Sequence, residues 1–286
     1  MAYQRILTIQ DISCVGQCSL TVALPILSAC GHETAALPTA VLSTHTGRFQ
    51  GYTFRDLTDD IPGICAHWER EGLDFSAVYT GYLASARQIA LVQDVIRSRL
   101  RPGGVLIVDP AMADDGRLYS GFGTDVVDAM RTLCAEADYI LPNVTEAALL
   151  AGLPYPEQAG SASEQIDCAC AERLAAGAAA HAEQTVLLTG VSFEPGKTGV
   201  FLWRDGKSCY YAHEKSPCGG YGTGDVFASA FTGTLLNGRT AERAARLAAD
   251  YTARCAARTA QDPAHWYGLE FEPELPWLIR RLEDRE

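Results

Sequence analysis

Four apolar runs, each stopped by a polar or turn-forming residue, constrain this 286-residue chain more than any other feature. They are "RILTIQ" (5–10), "GVLIVDP" (104–110), "ADYILPN" (137–143) and "QTVLLTG" (184–190). The last three carry continuous Val, Ile and Leu rather than an apolar–polar alternation, so both faces of each strand must be covered. Helical patterns lie between the runs: 19–31 closed by Gly31, 56–71 with a break near Pro62-Gly63, and 85–100. Further strands are expected at 34–40 and 76–83. "GVFLW" (199–203) and "CYYAHE" (209–214) are joined by the short "RDGK" turn and should pair antiparallel. Helices over 223–237, 240–259 and 273–283 finish the chain. The expectation is a doubly wound α/β fold, with a mainly parallel central sheet and helices on both faces. No linker, repeat or shift in composition divides the chain, so one domain over 1–286 is expected.

In such sheets ligands gather beyond the carboxyl ends of the strands. The rule singles out Asp11, Thr80-Gly81-Tyr82, Asp109-Pro110, Asn143 and Thr189-Gly190. A net charge of −12 repels polyanions and argues against nucleic acid or an anionic membrane as partner, though not against a nucleotide. No apolar run reaches the roughly 18–20 residues of a membrane helix. The first ten residues lack a basic start followed by a long apolar core, so no signal peptide is expected and the expected address is the cytoplasm. The ten cysteines include no CxxC pair; zinc is not expected, and the thiols read as reduced and mostly buried or structural.

The chemistry concentrates in "PCGGYGTGDVFASAFTG" (217–233). Gly219, Gly220, Gly222 and Gly224 leave main-chain amides bare, and the helix that follows points its positive end at the same place. Loop and helix together suit an anion. Asp225 would repel a bound phosphate if it were a ligand. It makes sense as a general base that takes the proton of a hydroxyl attacking a phosphoryl group, or as a helix cap. Asn143 and Glu146 have the spacing of a capping box, and Asp109 and Glu146 sit at the ends of two predicted strands.

"GTGDVFASAF" resembles the G-[TAV]-G-D motif of the ribokinase superfamily. "TIQDISCVG", "LSTHTG" (42–47), "TGYLASARQ" (80–88), "VDPAMADDGRLY" (108–119) and "LPNVTEAALL" (141–150) extend the resemblance, in order, to its vitamin B6 kinase branch. The resemblance implies a ribokinase-like fold without a large lid domain, and ATP-dependent phosphorylation of the 5′-hydroxymethyl group of pyridoxal, pyridoxine or pyridoxamine. It implies Asp225 as catalytic base and the Gly222, Thr223 and Gly224 amides as anion hole. Asp109, Asn143, Glu146, Thr189, Gly222 and Gly224 then serve ATP, with Asp109 and Glu146 organising Mg²⁺ and its waters; a monovalent cation such as K⁺ is a further implied requirement.

For the vitamer the match points to Asp11, His45, Thr46, Gly47, Tyr82 and Asp225. Packing is the competing account of Tyr82, and a solvent-facing position that of His45. Asp11 departs from the family, in which serine is common at this point: a carboxylate there would favour a protonated pyridinium or, alternatively, cap local amides. Residues 113–119 suit a flap over the phosphates, and a homodimer is the family expectation.

"GVSFEPGKTG" (190–199) imitates a phosphate-binding P-loop but has one residue too many before its second glycine and is followed by a strand, so a hairpin is expected. The rival functions are a hydroxymethylpyrimidine kinase of the same superfamily and a non-catalytic vitamin-binding protein. The first commonly has cysteine where Asp225 stands and Met in place of Tyr82; the second has no need of a base.

Overall fold

The apolar runs become the middle of one nine-stranded sheet in the computed structural model, which describes residues 5–156, 165–216 and 220–284. In chain order the strands are β1 (Arg5–Ser13), β2 (Glu33–Leu42), β3 (Phe54–Asp56), β4 (Phe75–Thr80), β5 (Leu100–Val108), β8 (Tyr139–Ile140), β9 (Thr185–Val191), β10 (Lys197–Arg204) and β11 (Lys207–Glu214). A separate hairpin pairs β6 (Ala113–Asp114) with β7 (Arg117–Leu118). The sheet order is β11-β10-β9-β8-β5-β4-β1-β2-β3. Its interior is parallel from β2 to β9, and antiparallel strands close both margins.

Strand alternation sends neighbouring side chains to opposite faces, and both faces are buried here. Leu7, Ile9, Val78, Leu106, Val108, Val186 and Leu188 pack on one side. That side is covered by α2 (Ile61–Arg70), α3 (Ala86–Arg99), α4 (Thr124–Ala135), α5 (Val144–Ala151) and α6 (Cys168–Ala178). Ile6, Ala77, Tyr79, Ile107 and Leu187 pack on the other, beneath α1 (Leu20–Ala29), α7 (Thr223–Leu236), α8 (Ala241–Thr259) and α9 (Leu275–Glu283). Helix α7 is buried without interruption from Val226 to Thr234. Its small residues permit that depth: a side chain at Gly233 would collide with Cys30 of the neighbouring segment. A helix held on all sides fixes the direction in which its N-terminus points.

The helix expected over 56–71 with a break at Pro62 is not what forms. Residues 54–56 add an edge strand, and α2 starts at Ile61 with Pro62 in its first turn, where a missing N–H costs no hydrogen bond. Helices α4 and α6 were not anticipated above. Strand β8 keeps only two residues of its apolar run, and β1 runs past the expected 5–10, so Asp11 lies within a strand rather than after it; Thr189 and Gly190 lie near the end of β9, as expected. The "RDGK" hairpin forms as expected, with Arg204 opposite Lys207 and positive φ at both Asp205 and Gly206. Residues 190–199 are the β9–β10 hairpin, not a phosphate loop.

All nine described cysteines are free, but only Cys30, Cys134 and Cys255 are buried, which corrects the expectation that most would be. No helix among the described residues is long and apolar enough to cross a membrane.

Candidate active site

The carboxyl ends of β1, β4, β5, β8 and β9 share one edge of the sheet, and the N-terminus of α7 faces them. Gly222 caps α7 in the left-handed conformation (φ 77°), pressed against the Gln17 carbonyl so closely that no Cβ would fit. Thr223 folds back on the loop through its hydroxyl, which donates to the Gly220 carbonyl at 2.6 Å. The amides of Gly224 and Asp225 find no carbonyl partner among the described residues, and a Cβ built on Gly224 would lie 3.9 Å from an Asp109 carboxylate oxygen. Bare amides at a helix N-terminus are the donors an anion needs. Gly219 and Cys218 lie outside the described residues.

Asp225 is half-buried in the first turn of α7. Its carboxylate accepts the Ser19 amide, and burial, with the Asp11 charge adding to it, pushes its pKa up to about 7. A carboxyl poised there can exchange a proton near neutral pH. Asp11 is buried beside it, on β1 where the register with β2 slips between Gln10 and Ile12. It accepts hydrogen bonds from Ser19 Oγ at 2.6 Å and Ser13 Oγ at 3.1 Å, and burial raises its pKa despite them.

On the opposite wall Asp109 is buried and takes no hydrogen bond among the described residues; burial, then the charges of Glu146 and Asp225, lift its pKa well above the usual carboxylate range. Glu146 is also raised by burial, against the pull of three amides: those of Met112 (3.1 Å) and Ala113 (3.5 Å) on one oxygen and that of Asn143 (2.9 Å) on the other. The expected capping box is complete, Asn143 Oδ1 accepting the Glu146 amide at 2.9 Å. Asn143 Nδ2 donates to the Ala113 carbonyl and Thr145 Oγ1 accepts the Gly116 amide, so the start of α5 anchors the β6–β7 hairpin. That hairpin is the segment expected to be a flap. Thr189 is half-buried at the end of β9, its amide bonded to the Pro142 carbonyl.

No group of three or more His, Cys, Asp or Glu among the described residues is arranged to grip a metal unaided. The donor set nonetheless fits a hard divalent cation that keeps its waters: carboxylates crowd together, and the Asp109 carboxylate has no hydrogen-bond donor among the described residues.

Tyr82 is half-buried and stacks on Phe122 with ring centroids 5.5 Å apart. Thr46 and Gly47 are exposed, and Gly47 lies against the Tyr221 ring, leaving no room for a Cβ. His45 is neither solvent-facing nor free to hydrogen-bond a ligand. It is buried; the Gly47 amide donates to Nδ1 at 3.1 Å, so Nε2 carries the proton given to the Tyr267 carbonyl at 3.0 Å. Its ring packs against Phe49 and Tyr221, and Phe49 in turn against Trp266. Any ligand would meet the face or edge of His45, not its nitrogens.

Sequence reasoning missed Ser13, Ser19, Phe122, Tyr221 and the 265–268 loop. Tyr221, the one large side chain within the glycine loop, was the available signal for that aromatic cluster. A cavity of about 630 Å³ between the end of β11, α8 and Trp277 includes none of the carboxylates above in its lining.

Comparison with known proteins agrees with the geometry. A kinase of Bordetella avium described as a pyridoxine/pyridoxal/pyridoxamine kinase is 27% identical over 94% of this chain and 93% of its own. The crystal structure of pyridoxal kinase from Lactobacillus plantarum superposes with a TM-score of 0.89 at 30% identity over the whole of both chains. A putative phosphomethylpyrimidine kinase from Bacteroides thetaiotaomicron, crystallised with pyridoxal, gives 0.85 at 33% identity over 98% and 96% of the two chains. The phosphomethylpyrimidine kinase family model matches residues 27–268, and this chain belongs to that family, within the ribokinase superfamily.

Proposed function

We propose that this enzyme transfers the γ-phosphoryl group of ATP to the 5′-hydroxymethyl oxygen of pyridoxal, pyridoxine or pyridoxamine, releasing ADP and the vitamer 5′-phosphate. One observation carries the reading: the Asp225 carboxyl stands in the first turn of a glycine-flanked helix N-terminus whose Gly224 and Asp225 amides have no carbonyl partner among the described residues, next to a second buried acid, Asp11. The amides of Thr223, Gly224 and Asp225 receive the migrating phosphoryl oxygens, and Asp225 takes the proton of the attacking hydroxyl. Phosphoryl transfer asks mainly for such positioning and charge stabilisation. Asp109 would hold Mg²⁺, with Glu146, whose oxygens also receive amides, placed toward its waters; the ion would supply charge neutralisation to the phosphates. Thr189 and Asn143 serve the nucleotide.

Asp11 faces the ring nitrogen and favours its protonated form. Asp11→Ser should therefore change the relative kcat/KM among the three vitamers; an unchanged ranking removes that role. Thr46 hydrogen-bonds ring substituents and Tyr82 lines the ring pocket. The reading also includes a single kinase domain, a cytoplasmic location, a homodimer and a monovalent-cation requirement. The exposed Val15, Tyr52 and Phe54 support the homodimer, and light scattering tests it.

The family description favours one rival, a hydroxymethylpyrimidine substrate. Presenting each vitamer and hydroxymethylpyrimidine separately with MgATP decides between them. Preferred turnover of the pyrimidine overturns the vitamer assignment, and preferred turnover of a vitamer upholds it.

A further inference from the structure

We propose that Ser19 is a positioning residue that locks the ring-facing acid Asp11 and the phosphoryl-transfer base Asp225 into one unit, an assignment that rests on the function proposed above. Ser19 touches both acids. Its hydroxyl donates to Asp11 Oδ1 at 2.6 Å, and its amide donates to the Asp225 carboxylate. It is buried, and its carbonyl accepts the Val22 and Ala23 amides that open α1, so the bridge is built on a fixed base.

The backbone shows that the hydroxyl is there for a reason. Ser19 has φ 55° and ψ −132°, a region that glycine enters readily and other residues do not. Three non-glycine residues among those described have positive φ, and the other two, Asp115 and Asp205, occupy hairpin turns. Glycine at position 19 would relax the backbone and keep the amide bond to Asp225. Helix capping does not explain the serine either, because its side chain makes no cap hydrogen bond. What serine adds over glycine is Oγ, and Oγ goes to Asp11. The strain therefore accompanies a link between the two acids, which fixes how far a ring seated at Asp11 stands from the base.

Ser19→Gly separates the link from the fold. The variant should melt at or above the wild-type temperature, because strain is relieved, yet lose about tenfold or more in kcat/KM for the preferred vitamer, as removal of one charge-assisted hydrogen bond predicts. The loss should fall on vitamer KM and kcat and leave the KM for ATP unchanged. Ser19→Ala should show the same kinetic loss with a lower Tm than Ser19→Gly. In an Asp11→Ser background, Ser19→Gly should add little, because the carboxylate that Oγ serves is gone. A Ser19→Gly enzyme within about twofold of wild type overturns the assignment, as does an equal loss with and without Asp11. Wild-type enzyme that turns over no vitamer refutes the substrate reading instead, and it is recognised before any variant is made.

Discussion

Asp225 and Glu146 are carboxylates in the walls of one cleft, both pushed toward neutrality by burial, and the protein connects them in opposite ways. Glu146 is surrounded by donors: three amides from two segments converge on its oxygens. Asp225 receives the Ser19 amide and no other donor among the described residues. An acid most of whose lone pairs are engaged by backbone amides is a strut, since those bonds hold a loop. An acid with spare lone pairs can accept a proton and pass it on. Position in the cleft does not separate the two roles; the number of internal donors does.

The sharpest way to break this comparison is to remove each charge. Asp225→Asn keeps the shape and removes the base, so kcat should fall by about 10²–10⁴-fold while the fold stays intact. Tm should hold or rise, because a buried charge is gone. An Asp225→Asn enzyme running at the wild-type rate would end the assignment of Asp225 as base.

Glu146→Ala should act in the other direction, on stability before chemistry. It strands the Met112, Ala113 and Asn143 amides and dismantles the capping box. The cost should be about 3 kcal/mol, read as a Tm lower by about 5–10 °C. The β6–β7 hairpin loses part of its anchor, so ATP KM should rise more than vitamer KM. A variant that melts like wild type but has lost turnover would place Glu146 with the chemical groups and erase the contrast. Its raised pKa adds a second test. Asp109, Glu146 and Asp225 all hold protons in the folded state at pH values where the unfolded chain has released them. The ligand-free protein should then lose stability as pH rises between about 5 and 8, and Glu146→Gln should flatten that slope.

The contrast was only half legible in the sequence. Asp225 could be found because glycines, helix pattern and charge sit side by side in the chain, and the parallel sheet could be read because its strands are apolar on both faces. The capping box was legible too, being local. Ser19 was not: its backbone conformation and its contact with Asp225 exist only once α1 and α7 pack together. The burial of His45 was hidden for the same reason, since its partners Gly47 and Tyr267 come from two loops far apart in sequence. Pro62 was read as a breaker when it opens a helix, because proline looks the same in sequence at a first turn and in a helix interior.

The smallest expected effect is also the most specific. Asp225 must be ionised to act as a base, and its folded pKa is raised to about 7. The kcat/KM profile should therefore climb with pH and level off above about 7. Burial is the main cause of the raised value and Asp11 contributes by like charge. Asp11→Asn removes that charge, favours the ionised form of Asp225, and should move the acid limb to lower pH by about half a unit. The direction matters more than the size. If Asp11 acted only through the substrate, the variant would change KM and leave the limb in place; if the two acids share one field across Ser19, the limb moves even for a vitamer whose KM is unchanged. A shift to higher pH would contradict the electrostatic link between them, because no loss of a neighbouring negative charge can make a carboxylate harder to ionise.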